Sequence, residues 1–199
     1  MLAATVIHHC VSLGPSCHVA ELLRTHDDRL RRYATPFDWL HSDPAIVSSC
    51  LADGFRTLLN RRQLEASVGQ KKGKKQQQSL CLHRQYRTAD RTHIFNHHNP
   101  AVSDEDYARL HRAADRLRRV LHDDESRALF LRLETDAAPG RRSREEFVAG
   151  SQTMFSGLKA CTSNFVLVAL RVVPRAEQHE RAAVHAWSEE EDEDEEVQQ

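Results

Sequence analysis

The sequence predicts a single α/β domain, with α+β as the alternative: a mixed β-sheet flanked by helices. Three observations carry this. The apolar segments alternate in type, in the order strand, helix, helix, hairpin, helix, strand, helix, strand. No segment repeats another, which sets solenoids and propellers aside. At 199 residues the chain is long enough for one self-sufficient core and short for two.

The first predicted strand covers residues 3–13, rich in β-branched and apolar types, and stops at Gly14-Pro15-Ser16. A helix follows at once, with Ser16 as its N-cap and Val19, Leu22, Leu23 and His26 spaced as a buried face. Pro36-Phe37-Asp38-Trp39-Leu40 is a short apolar knot. Ser42-Asp43-Pro44 then opens a helix carrying Ile46, Val47, Cys50 and Leu51, and Phe55, Leu58 and Leu59 continue the apolar pattern past Gly54. Residues 70–79 contain no apolar side chain and are predicted to be a mobile basic loop.

Two strands are expected at residues 80–86 and 93–97, joined as a hairpin. Ser103-Asp-Glu-Asp106 has the spacing of a capping box, and Tyr107, Leu110, Ala114, Leu117 and Leu121 mark one face of a helix reaching about Asp123. Residues 128–133 read as a central strand. Ser143-Arg-Glu-Glu146 opens another helix, with Phe147, Val148, Met154, Phe155 and Leu158 inside. Residues 164–173 are the strongest strand of the chain and stop at Pro174.

Charge divides the chain into a basic body and an acidic tail. Residues 189–196, EEEDEDEE, hold eight of the 29 acids, and the other 21 face 28 lysines and arginines, about +7 with histidine neutral. A like-charge run of that density cannot pack, so residues 1–175 are taken as the folded domain and 176–199 as a disordered tail. Such a tail offers a docking site for a protein partner. No window approaches the roughly 18 apolar residues of a membrane span. The opening stretch lacks a basic region and is interrupted by His8 and His9, so no secretory signal is expected there. Five cysteines, an odd number without a C-x-x-C pair, predict free thiols in a reducing compartment, the cytoplasm. No metal or cofactor is expected, since His8-His9-Cys10 would diverge on a strand.

The pattern weighed most heavily is strand, glycine turn, then Cys17 in the first turn of an amphipathic helix. Unpaired N–H groups and the helix dipole favour a thiolate there. The backbone N–H groups of Ser16 and Cys17 would also hold the oxyanion formed when a thiolate attacks a carbonyl. The second pattern is His93-Ile-Phe-Asn-His97-His98-Asn-Pro100, because a cysteine nucleophile needs an imidazole brought near by the fold. Alternation along a strand would put His97 and His98 on opposite faces.

Ser12-Leu-Gly-Pro-Ser-Cys17-His-Val-Ala, Pro36-Phe-Asp-Trp-Leu40, Phe95-Asn-His97-His-Asn-Pro100 and Phe130-Leu-Arg132 together resemble a family described as putative papain-like cysteine peptidases, over roughly residues 6–173. The resemblance implies Cys17 as nucleophile and His97 as base, with His98 the alternative. It implies an acidic or amide residue to orient the histidine: Asp136, which follows it in the chain as in papain-like enzymes, or Asp38, which precedes it. The glutamine that supplies an oxyanion donor in papain-like enzymes is missing before Cys17, leaving that role to backbone N–H groups.

These residues imply a thiol-dependent hydrolase or acyl transferase acting on a peptide, ester or other acyl substrate through a covalent acyl-enzyme. The alternative is an inactive interaction module of the same fold. A third reading is nucleic-acid binding through Lys71, Lys72, Lys74 and Lys75 and the arginines 109, 112, 116, 118 and 119, although no aromatic residues are interleaved among them.

Overall fold

A computed structural model describes residues 6–15, 17–26, 33–70, 77–87, 93–95, 97–135, 143–173 and, for the backbone, 184–187. The fold is the predicted single α/β domain. Its strands are β1 (His9–Ser12), β2 (Leu64–Gln70), β3 (Gln77–His83), β4 (His93–Phe95), β5 (Ala128–Thr135), β6 (Phe165–Val172) and β7 (Val184–Trp187). Its helices are α1 (Cys17–His26), α2 (Pro44–Ala52), α3 (Asp104–Leu121) and α4 (Arg144–Lys159), with a 3-10 turn at Pro36–Trp39. No helix among the described residues is long and apolar enough to cross a membrane.

One sheet has the order β1-β5-β6-β7. The first three strands are parallel, Val11 facing Phe130 and Phe130 facing Leu167, and β7 is antiparallel to β6. Parallel neighbours need a crossover, and α4 supplies it between β5 and β6. Phe130, Phe165 and Leu167 are fully buried beneath the helices, as the apolar runs of β5 and β6 require. The second sheet, β2-β3-β4, is antiparallel throughout.

Local chemistry explains the boundaries. Helix α4 starts at Ser143, whose hydroxyl accepts from Glu146 N while Glu146 returns a bond to Ser143 N, the predicted capping box. Helix α2 stops where Gly54 takes φ +59°. Gly54 N donates to Leu51 O and Phe55 N to Cys50 O, the paired bonds of a Schellman terminus. The apolar run through Phe55 and Leu58 is therefore not more helix but turns that place Phe55 in the core, 5.9 Å from the Phe37 ring. Arg118 clamps this turn, donating twice to Gly54 O.

Three expectations are corrected. The predicted loop at residues 70–79 begins and ends in strand: Gln70 pairs with Gln77, closing a β2–β3 hairpin around residues 71–76, which with their lysines lie outside the described residues. Leu22, assigned to the buried face of α1, is half exposed. Val184–Trp187, placed in the acidic tail, forms the edge strand β7, while residues 188–199 lie outside the described residues.

Candidate functional site

Cys17 is placed by what precedes it. Strand β1 ends at Ser12, and Leu13 N still donates to Leu131 O of β5 at 2.8 Å. Gly14 then turns the chain at φ +73°, and a side chain there would run into Ser42 Oγ and come within 3.3 Å of Leu40 O. Only glycine fits both the angle and the space. Three residues later α1 begins, so half-buried Cys17 stands at the carboxyl edge of the parallel strands, where the first N–H groups of α1 have no intrahelical partner.

The strip Leu40–Ser42 fastens this turn to the histidine segment. Ser42 Oγ donates to Leu13 O at 3.0 Å, and His41 Nδ1 lies 3.2 Å from Pro15 O. In the other direction His41 N donates to Ile94 O of β4 at 2.8 Å, and Leu40 bridges Phe95. Arg132 ties the assembly together from β5. Its guanidinium is buried, with Nη1 3.2 Å from both Leu13 O and Ser42 O, and with Nε and Nη2 at 2.8 and 2.6 Å from Glu134 Oε1. Arg132 thus satisfies the carbonyls on both sides of the junction while its own charge is met by Glu134.

Strand β4 ends at Phe95, so His97 and His98 are not on a strand and the predicted opposition of their side chains does not hold. Both rings stand edge-on to Trp39, with centroids at 5.2 Å for His97 and 6.5 Å for His98. Both line a cleft of about 360 Å³ between the 3-10 turn and α3. Pro36, Trp39, Leu40 and Phe95 form one apolar side of it, and Leu110 and Ala113 the other.

The two histidines differ in their support. His97 is exposed, whereas His98 is half-buried with Nδ1 3.1 Å from Asp106 Oδ1. The other oxygen of Asp106 accepts from Asn99 N at 2.8 Å, and Asn99 Nδ2 donates to Ser79 Oγ and Leu80 O, pinning the loop to β3. A carboxylate only accepts, so Nδ1 of His98 carries the proton and Nε2 is left as the basic nitrogen. Asp106 was read in the sequence only as part of a capping box, and its own N–H is indeed capped by Ser103 Oγ. The overlooked signal is an acid one helical start beyond a histidine pair, in the order Cys, His, Asp.

The remaining candidates are located as follows. Asp38 is buried, with its oxygens accepting from Thr35 N at 3.0 Å and Thr35 Oγ1 at 2.8 Å, so it caps the 3-10 turn under Trp39. Ser16 and Asp136 lie outside the described residues. Cys17 and the histidines are anchored to the same strip, but among the described residues no hydrogen bond joins the thiol to His97 or His98, and Cys17 is not on the cleft wall.

Burial sets the other thiols apart. It pushes Cys50 up to about 12, helped by the nearby Asp53 charge and opposed by the Tyr86 hydrogen bond. It pushes Cys81 up to about 11 and raises Cys10 and Cys161 as well. A thiol held protonated is a poor nucleophile at neutral pH. His8 accepts from Arg127 N, and His9 sits between Tyr33 Oη at 2.6 Å and Asp123 at 3.5 Å. Among the described residues no group of three or more His, Cys, Asp or Glu is arranged to hold a metal ion. The arginines of α3 turn partly inward or onto neighbours: Arg116 donates to Ala34 O, Arg118 to Gly54 O, and Arg109 pairs with Glu105.

Comparison with known families matches residues 8–167 to the family described as putative papain-like cysteine peptidase. No curated protein and no solved structure matches the chain.

Proposed function

The chain belongs to the family described as putative papain-like cysteine peptidase, and from that premise we propose a thiol-dependent hydrolase in which Cys17 is the nucleophile, His98 the base and Asp106 the residue that orients it. The observation that carries the assignment is the Asp106 carboxylate on Nδ1 of His98, which leaves Nε2 to take a proton. Cys17 gives its proton to that nitrogen, and its sulfur forms a bond to the carbonyl carbon of an amide or ester. The N–H groups at the start of α1 hold the oxyanion. The bond to the leaving group then breaks, and the leaving group departs with the proton from His98. Water, deprotonated by Nε2, attacks the thioester, and the S–C bond breaks to release the acid and restore the thiol. An amine or alcohol in place of that water would make the protein an acyl transferase. Hydrogen bonds between such a thiol and its base commonly tighten only when substrate binds, so the shared anchoring of both groups on Leu40–Ser42 matters more than their contact in the free protein.

A second reading, an interaction module, is favoured by one feature: the cleft has both histidines on its wall but not Cys17. Alkylation of each cysteine, followed by mass spectrometry across pH, separates the two. For the hydrolase, Cys17 reacts about tenfold or more faster than Cys50 and Cys161 near neutral pH, and slows in His98→Ala and Asp106→Asn but not in His97→Ala. If Cys17 is no faster than those two thiols, the interaction module is the better description.

A further inference from the structure

We propose that the cleft between the 3-10 turn and α3 is a binding site for a small apolar carboxylate: one molecule with an aromatic or branched aliphatic body and a single anionic end. Its size, about 360 Å³, falls at the small end of ligand sites. Trp39 and Phe95 on one side and Leu110 and Ala113 on the other would enclose the body. Water in so apolar a space has few partners, and a flat or branched carbon skeleton would displace it.

The charged groups on the wall choose the other end. Asp106 is the acidic residue on it, and both its oxygens are already taken, by His98 Nδ1 and Asn99 N, so it offers little to a ligand cation. Arg109 carries the free capacity. Its side chain is about half exposed, and it meets the more exposed Glu105 through Nη2 at 3.1 Å. A solvent-exposed pair of this kind is weak and readily exchanged, and the guanidinium fork matches the two oxygens of a carboxylate. A phosphate dianion would call for more donors than one such fork. The cleft shares His98 and Asp106 with the thiol chemistry proposed above but is not lined by Cys17, and binding of a carboxylate through Arg109 stands whether or not Cys17 is a nucleophile.

The test uses the full chain carrying Cys17→Ser and Trp187→Phe, which leaves Trp39 as the sole tryptophan of the two in the sequence. N-acetyl-phenylalanine and N-acetyl-leucine are titrated against their primary amides and against N-acetyl-glycine while Trp39 emission is followed. The expected result is a saturable change with both apolar carboxylates, with the amides and N-acetyl-glycine at least about tenfold weaker. Arg109→Gln, a change at an exposed position, is expected to bring the carboxylates to the level of their amides. Equal binding of acid and amide, no effect of Arg109→Gln, or no saturable change up to about 10 mM would each overturn the proposal. Cysteine alkylation in the Trp187→Phe chain with Cys17 intact is scored separately, so failure of either idea leaves the other standing.

Discussion

Asp106 holds His98 at Nδ1, which leaves Nε2 for the proposed proton transfer. Asp106→Asn keeps the volume but offers an NH2 group to one of two N–H donors, so it favours the wrong tautomer of His98. Turnover on any substrate, and Cys17 alkylation near neutral pH with it, is expected to fall by about 10²-fold or more, and kinetics on the variant measure this. The fold should survive, at a cost of about 1–3 kcal/mol in urea unfolding, because the charge-assisted bonds of the carboxylate to His98 and Asn99 N are replaced by weaker amide ones. Arg132 has the opposite profile. Arg132→Met would remove the buried guanidinium that Glu134 faces, take the Arg132 donor from Ser42 O and leave Leu13 O with Ser42 Oγ alone, a loss of about 3–5 kcal/mol. A urea midpoint near that of the native chain would show that the buried pair is not needed. Cys17 was legible in the sequence because a glycine turn before an amphipathic helix is a local pattern. Asp106 was not, because an acid in a first helical turn already has a capping explanation. Arg132 hid its role for a different reason: its partner Leu13 is 119 positions away in the chain, and no periodicity reports such a pair.

At the scale of elements, the approach of β1 into α1 depends on one residue without a side chain. Gly14→Ala would force a left-handed backbone onto a Cβ that meets Ser42 Oγ and Leu40 O, and neither neighbour is free to withdraw, since Ser42 is bonded to Leu13 O and Leu40 is paired with Phe95. The expected outcome is a destabilisation of about 1–3 kcal/mol together with altered accessibility of Cys17 in alkylation. An unchanged melting curve would mean the turn is looser than its contacts imply. Helices α3 and α4 and strands β5 and β6 were readable because each buries one face at its own period, and the two helices also carry their own caps. Strand β2 was not, for Leu64-Glu-Ala-Ser-Val-Gly-Gln has only two large apolar residues, and its pairing with β3 supplies what the sequence lacks. The same holds for β7, whose place at the edge of the sheet comes from hydrogen bonding to β6 rather than from an apolar run. The sequence predicts a strand through His97 with His98 on its opposite face; β4 instead ends two residues earlier, at Phe95, and this single boundary decides that both rings, rather than one, face Trp39.

For the molecule as a whole, two kinds of buried group set opposite limits on stability with pH. His83 is buried in its neutral form: Nε2 donates to Thr57 O at 3.1 Å, Nδ1 accepts from Tyr86 N at 3.3 Å, and the ring stacks on Tyr86 at 4.4 Å. Burial lowers its pKa, partly offset by the Thr57 bond. The unfolded chain therefore binds a proton at about pH 6.5 that the folded chain refuses, and stability falls as pH drops below that point. The thiols act in reverse. Cys50 and Cys81 remain protonated in the fold up to about 12 and 11, whereas an unfolded cysteine ionises at about 8.5. Between those values the unfolded state binds fewer protons, so stability falls as pH rises. Tyr86, raised chiefly by burial and further by Cys50, extends the alkaline loss. Urea unfolding from pH 5 to 10 is expected to give greatest stability between about 6.5 and 8.5, with His83→Gln flattening the acid limb and Cys50→Ala with Cys81→Ala flattening the alkaline one. An alkaline limb equally steep without those two thiols would locate the loss in other groups.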